Sequence, residues 1–120
     1  MSGIERFNFD SPTETRTPEK TRVDVVRIDG TTAARFAFEP GWKWSECVKP
    51  VAGTDSCQAR HVGVVQSGSI HVAHEDGTEV DIGPGDAYVI EPGHDAWVNG
   101  DERFVALEFE QQSAEQYAAQ

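Results

Sequence analysis

Along most of this chain apolar and polar residues alternate with a period of two, and turn-forming residues cut the alternation into short lengths. Val23-Asp24-Val25-Val26-Arg27-Ile28 reads as a first strand and Asp29-Gly30 as a turn. Residues 31–39 then form a second strand, with Phe36 and Phe38 on one face, and Pro40-Gly41 ends it. Trp42 to Val48 alternates strictly, which predicts a strand with Trp42, Trp44, Glu46 and Val48 on one face. Residues 49–56 are turn formers. From Cys57 to Gln66 a strand is predicted whose Cys57, Ala59, His61, Gly63 and Val65 share a face. Ser69 to Glu75, the Asp76-Gly77 turn and Thr78 to Ile82 form the clearest hairpin. Residues 83–100 give turn, strand, turn, strand: Ala87 to Ile90 lies between two Gly-Pro-rich breaks, and His94 opens the next strand straight after Pro92-Gly93. Arg103 to Phe109 is the last strand.

About eight short strands at regular spacing predict an all-β sandwich or barrel. Residues 23–110 make up the barrel. Residues 1–22 lack any sustained period and are expected to be a tail, and 111–120 a second tail or a short helix.

A chain of 120 residues suits one domain with one core. Its formal charge of −11 repels phosphate backbones and anionic lipid, so neither nucleic acid nor a membrane surface is an expected partner. No apolar run reaches membrane-spanning length, and Met-Ser-Gly-Ile-Glu-Arg has no signal-peptide pattern, so the expected compartment is the cytoplasm. Cys47 and Cys57 are then expected as reduced thiols.

Gly83-Pro84-Gly85-Asp86-Ala87-Tyr88-Val89-Ile90-Glu91-Pro92-Gly93 resembles the opening of the second cupin motif, and Val64 to Gly68 resembles the end of the first. The resemblance spans about residues 23–110 and implies a small jelly-roll barrel of the RmlC-like type. In that family a His-x-His pair, a downstream Glu and a later His usually hold a divalent metal at the barrel mouth. Counted back from Gly68, the Glu position falls on His61 and the two His positions on Cys57 and Asp55. Counted on from Gly93, the last His position falls on Ala96, with His94 two residues earlier. None of these positions keeps the family's residue, so the family's metal site does not transfer as it stands.

A different site remains chemically credible. Cys57 and His61 are four apart on one strand face, and the cupin topology brings His94 close to them. With a carboxylate from Glu46 or Asp55 they make a donor set suited to Zn²⁺, and less to Fe²⁺ or Ni²⁺ because of the soft sulfur. His71 and His74 are expected to face solvent and are set aside.

Three functions stay open. In the first, Cys57, His61 and His94 bind a metal, Glu46 or Asp55 completes the shell or acts as general base, and Phe36, Trp42, Trp44, Tyr88 and Trp97 line a pocket for a small molecule; Glu46 and His61 are the catalytic candidates. The second is a metal-free binding or sensing cupin that uses the same pocket. The third is an interaction module that forms a homodimer through Val23 to Ile28 as an edge strand. The sequence selects no reaction.

Overall fold

The computed structural model describes residues 3–28 and 30–109. Nine strands make two antiparallel sheets: β1 (Glu14–Arg16), β2 (Thr21–Ile28), β3 (Thr31–Phe38), β4 (His61–Ser67), β5 (Ile70–His74), β6 (Glu79–Ile82), β7 (Ala87–Ile90), β8 (His94–Val98) and β9 (Phe104–Glu108). The large sheet runs β1, β2, β3, β9, β4, β7, and the small one β6, β5, β8. From β4 onward the chain crosses between the sheets at β4–β5, β6–β7, β7–β8 and β8–β9, in keeping with the jelly roll expected from the sequence.

The core comes from the alternation itself. Val23, Val25, Phe36, Phe38, Val65, Phe104 and Ala106 of the large sheet form one buried cluster with Ile70, Val72, Ile82, Ala96 and Val98 of the small sheet. The Asp76-Gly77 hairpin forms as predicted, with Gly77 at φ 94°. Among the described residues no helix is long and apolar enough to cross a membrane.

Four local expectations change. Residues 14–16, assigned to the N-terminal tail, pair with β2 as strand β1. Val23 to Val25 is therefore flanked on both sides, by β1 and β3, and only Val26 to Ile28 of the expected edge strand lies beyond the β1 pairing. Asp24 explains why the N-terminal segment folds back: it is 1% exposed and accepts hydrogen bonds from Thr15, Arg22 and Arg35.

Residues 42–48 do not form a strand. Lys43 makes an isolated bridge to Trp97, and two single-turn helices follow, α1 (Trp44–Cys47) and α2 (Lys49–Ala52). Trp44, Cys47 and Val48 are spaced i, i+3, i+4, so one helical turn buries all three and turns Glu46 out to solvent. The strand expected from Cys57 begins at His61; Cys57 itself makes only an isolated bridge to His94. The expected helix at 111–120 lies outside the described residues.

Candidate metal centre

Two strand starts and the loop before β4 deliver the site. His61 opens β4 and pairs with Ile90 of β7; His94 opens β8 straight after Gly93, whose φ of 101° makes the turn. Cys57 sits ahead of β4 in irregular chain, yet its backbone is tightly held. Cys57 N donates to the His94 carbonyl at 2.8 Å, and Gly93 N donates to the Cys57 carbonyl at 2.7 Å. Ser56 Oγ adds a 2.5 Å bond to Glu75 beside the β5 to β6 turn.

The side chains converge. One ligand atom each from Cys57, His61 and His94 lies within 4.8 Å of the other two, and all three residues are buried. Cys57 Sγ is 3.5 Å from His61 Nε2, and the two imidazole rings meet edge to face at 5.1 Å. Each ring is also anchored at its far nitrogen. His61 Nδ1 lies 2.7 Å from Glu108 Oε1, and His94 Nδ1 lies 2.8 Å from the Glu91 carbonyl oxygen. Both partners are acceptors, so both Nδ1 atoms carry a hydrogen, which leaves each Nε2 for the centre.

Glu108 completes this inner network and was absent from the sequence-level candidates. It is 6% exposed, and Tyr88 Oη donates to its Oε2 at 2.6 Å. Gly63 makes the arrangement sterically feasible. It stands in register between Tyr88 on β7 and Glu108 on β9, and a Cβ there would lie 2.9 Å from both Glu108 Cγ and Tyr88 Oη. Phe104, Ala106 and Glu108 share a face of the last strand, but the alternation alone does not mark that face as the inner one.

Electrostatics favour a charged pair. Burial pushes the Cys57 thiol up, but hydrogen bonds to His61 and His94 and the positive charge of His61 outweigh it and hold the thiol well below its usual value, at about 6. Burial pushes His61 down, and the Glu108 charge with the bonds to Cys57 and Glu108 more than reverses that, raising it to about 10. A thiolate therefore faces an imidazolium when no cation is present, and a metal ion would take the place of the proton on His61 Nε2.

The remaining sequence-level candidates separate clearly. Trp42 and Trp44 line a small cavity of about 20 Å³ together with His61, His94 and Glu108. Phe36 is core, its ring edge against His61 at 6.4 Å. Tyr88 serves Glu108 rather than the cavity. Trp97 lies on the outer face, stacked on His71 at 4.7 Å with Lys43 Nζ over its ring. Glu46 and Asp55 are exposed, Glu46 because α1 replaces the expected strand and Asp55 because its loop points outward toward Lys49, so neither joins the three donors. His71 bonds to Glu79 and Asp81, and His74 to the Pro92 carbonyl, both apart from the cluster. A wider groove of about 620 Å³ runs between β6 and β7, lined by Asp76, Asp81, Asp86 and Glu91, and does not reach Cys57, His61 or His94.

The donor chemistry fits a borderline-soft ion: one thiolate and two imidazole Nε2 atoms, with Glu108 and a backbone carbonyl fixing the rings from behind, as metal-bound histidines require.

No protein-family model matches the chain, and no curated protein matches it in sequence. Solved structures do. A protein of unknown function from Rhizobium leguminosarum bv. viciae 3841 aligns with a TM-score of 0.65 at 19% identity, over 91% of this chain and 97% of that one. An RmlC-like cupin from Shewanella frigidimarina NCIMB 400 aligns with a TM-score of 0.59 at 17% identity, over 92% and 96%. A cupin-like protein from Thermotoga maritima gives 0.54 at 18%, over 95% and 84%. At such identities the likeness speaks to fold alone, and the fold is that of a small cupin.

Proposed function

We propose that this small cupin binds one divalent metal ion, zinc in preference to iron or nickel, through Cys57, His61 and His94, and that the bound ion is where a small molecule is engaged. The supporting observation is the convergence of three buried ligand atoms within 4.8 Å, with both imidazoles anchored at Nδ1 so that Nε2 is free. When bound, the ion supplies Lewis acidity at the coordination position that three protein donors leave open. The chain's own groups do the rest. Glu108 holds the His61 tautomer and raises its basicity, the Glu91 carbonyl does the same for His94, and Trp42, Trp44 and Phe38 keep bulk water from the cavity.

A metal-free relay from Glu108 through His61 to the Cys57 thiolate has the connectivity of a nucleophilic triad. Burial weighs against it: Cys57 is 0% exposed and does not line the cavity, so the thiolate has no substrate-sized space beside it. The cavity, at about 20 Å³, takes a single water-sized group, so it admits one oxygen end of a ligand and not a whole organic molecule.

Metal analysis of tag-free protein tests the proposal. About one zinc per chain is expected, falling to background in Cys57→Ser and in His94→Ala while the circular dichroism stays that of an all-β fold. Wild-type protein that stays metal-free after incubation with Zn²⁺, Fe²⁺, Ni²⁺ and Mn²⁺ would refute it.

A further inference from the structure

Two indole donors in the core lack a partner among the described residues. Trp42 and Trp44 are 2% and 1% exposed, and neither indole Nε1 has a hydrogen-bond acceptor there. Buried N–H donors are nearly always paired, so two orphans in one place need an explanation. Both residues line the same small cavity, next to His61 and His94. Packing alone does not require indoles there: the stack of Trp42 on Phe38, rings parallel at 3.8 Å, uses the ring face and leaves the N–H unspent.

We propose that the cavity receives the oxygen end of a small carboxylate or carbonyl ligand, which accepts hydrogen bonds from the Trp42 and Trp44 indoles while facing the open side of the Cys57, His61 and His94 group. An oxygen terminus meets each constraint. It has lone pairs enough for two N–H donors and an ion, it is a hard donor that complements the thiolate, and it is of the size the cavity admits. Donors fixed in a water-poor pocket select for such an acceptor strongly, because a ligand lacking it leaves them unpaired. The two tryptophans thus set specificity while the ion supplies affinity. This rests on the metal reading for the coordination position left open.

Trp97, the third tryptophan of the chain, is a built-in control, because its ring lies on the outer face against His71. The test records indole N–H signals of ¹⁵N-labelled, zinc-loaded wild-type protein by two-dimensional NMR during titration with formate and, separately, formamide. The zinc content of the same sample is measured first. Two signals, assigned to Trp42 and Trp44 with Trp→Phe variants, are expected to move with a common saturation curve while that of Trp97 stays. Response to formate alone identifies a carboxylate, and response to formamide as well identifies a carbonyl oxygen as sufficient. In Trp42→Phe and Trp44→Phe, cobalt-substituted protein read by its visible spectrum should bind the probe about tenfold more weakly. Zinc bound with all three indoles silent, as a permanently trapped water would give, overturns this inference alone. Absence of zinc overturns the metal reading and this one with it.

Discussion

Replacing Gly63 by alanine is the sharpest single perturbation of this design. Its Cβ would lie 2.3 Å from the Leu107 carbonyl oxygen and 2.9 Å from both Glu108 Cγ and Tyr88 Oη. The first of these is backbone of β9, hydrogen-bonded to both β3 and β4, so it cannot step aside without breaking ladder bonds. Overpacking of that kind costs about 1–3 kcal/mol. Displacement of Glu108 also weakens its bonds from Tyr88 and His61, each worth about 1.5 kcal/mol or more for a charged acceptor. A loss of about 4 kcal/mol lowers the Tm of a domain this size by roughly 15 °C. Because Glu108 orients His61, zinc affinity should fall as well, by about 10- to 100-fold. The matched control is Gly83→Ala, where an added Cβ meets nothing within 4 Å, and that variant should melt at or slightly above wild type. Thermal melts in chelator, followed by a competitive zinc titration, read both effects. A Gly63→Ala protein that melts within about 2 °C of wild type and holds zinc equally well contradicts the steric argument and the role given to Glu108.

Two further perturbations probe separate parts of the barrel. Glu108→Gln keeps the shape and an acceptor but removes the charge behind His61, so zinc affinity should drop by about 10-fold or more and metal-free stability should fall by about 1–3 kcal/mol as the His61 and Tyr88 bonds lose a charged acceptor; unchanged affinity by competitive titration would remove Glu108 from the site. Asp24→Asn tests acid sensitivity. Burial raises the Asp24 carboxyl, but bonds from Arg22, Arg35 and Thr15 outweigh burial and hold it below its ordinary value. A carboxyl depressed on folding stabilises above its unfolded pKa of about 4, and that contribution is lost as pH falls through the folded value. Urea unfolding should therefore show wild type ahead of the variant by about 2 kcal/mol near neutrality, a modest figure because Arg22 is half-exposed, with the gap closing below about pH 4. A gap that stays constant with pH would assign the effect to packing instead.

The period of two carried most of the architecture, because a half-buried strand must alternate and few other elements do. It failed at residues 42–48 for a specific reason. Trp42, Trp44 and Val48 fit a period of two, but Trp44, Cys47 and Val48 fit a helical turn equally well, and a segment of seven residues is too short to separate the two. The helical alternative wins since Trp42 and Trp44 are buried against β8 and the large sheet while Glu46 gains solvent, whereas the strand would have buried an unpaired carboxylate. The donor trio was legible from spacing, Cys57 and His61 four apart and His94 fixed by its Pro-Gly turn. Glu108 was not. On β9 the residues Phe104, Ala106 and Glu108 alternate with Val105, Leu107 and Phe109, so the carboxylate marked its own face as the solvent side. Only the pairing of Glu108 with Gly63, and of Gly63 with Tyr88, reveals that the face points inward, and that is long-range information.

The same register explains why the donors can depart from the pattern of the family that the sequence resembles. There the last histidine is expected at the position of Ala96, while here the imidazole stands at His94. A shift of two residues along β8 keeps the side chain on the inner face, where Ala96 is also buried, and moves it about 7 Å along the strand. That displacement carries the ring to the rung where β8 bridges Cys57, whose sulfur enters from the loop before β4 rather than from within a strand. A histidine at 96 would face Val72 of β5 in the middle of the core, with no link to the Cys57 bridge. Cysteine at 57 and histidine at 94 therefore form one structural unit, each in place because three backbone hydrogen bonds tie their chains together.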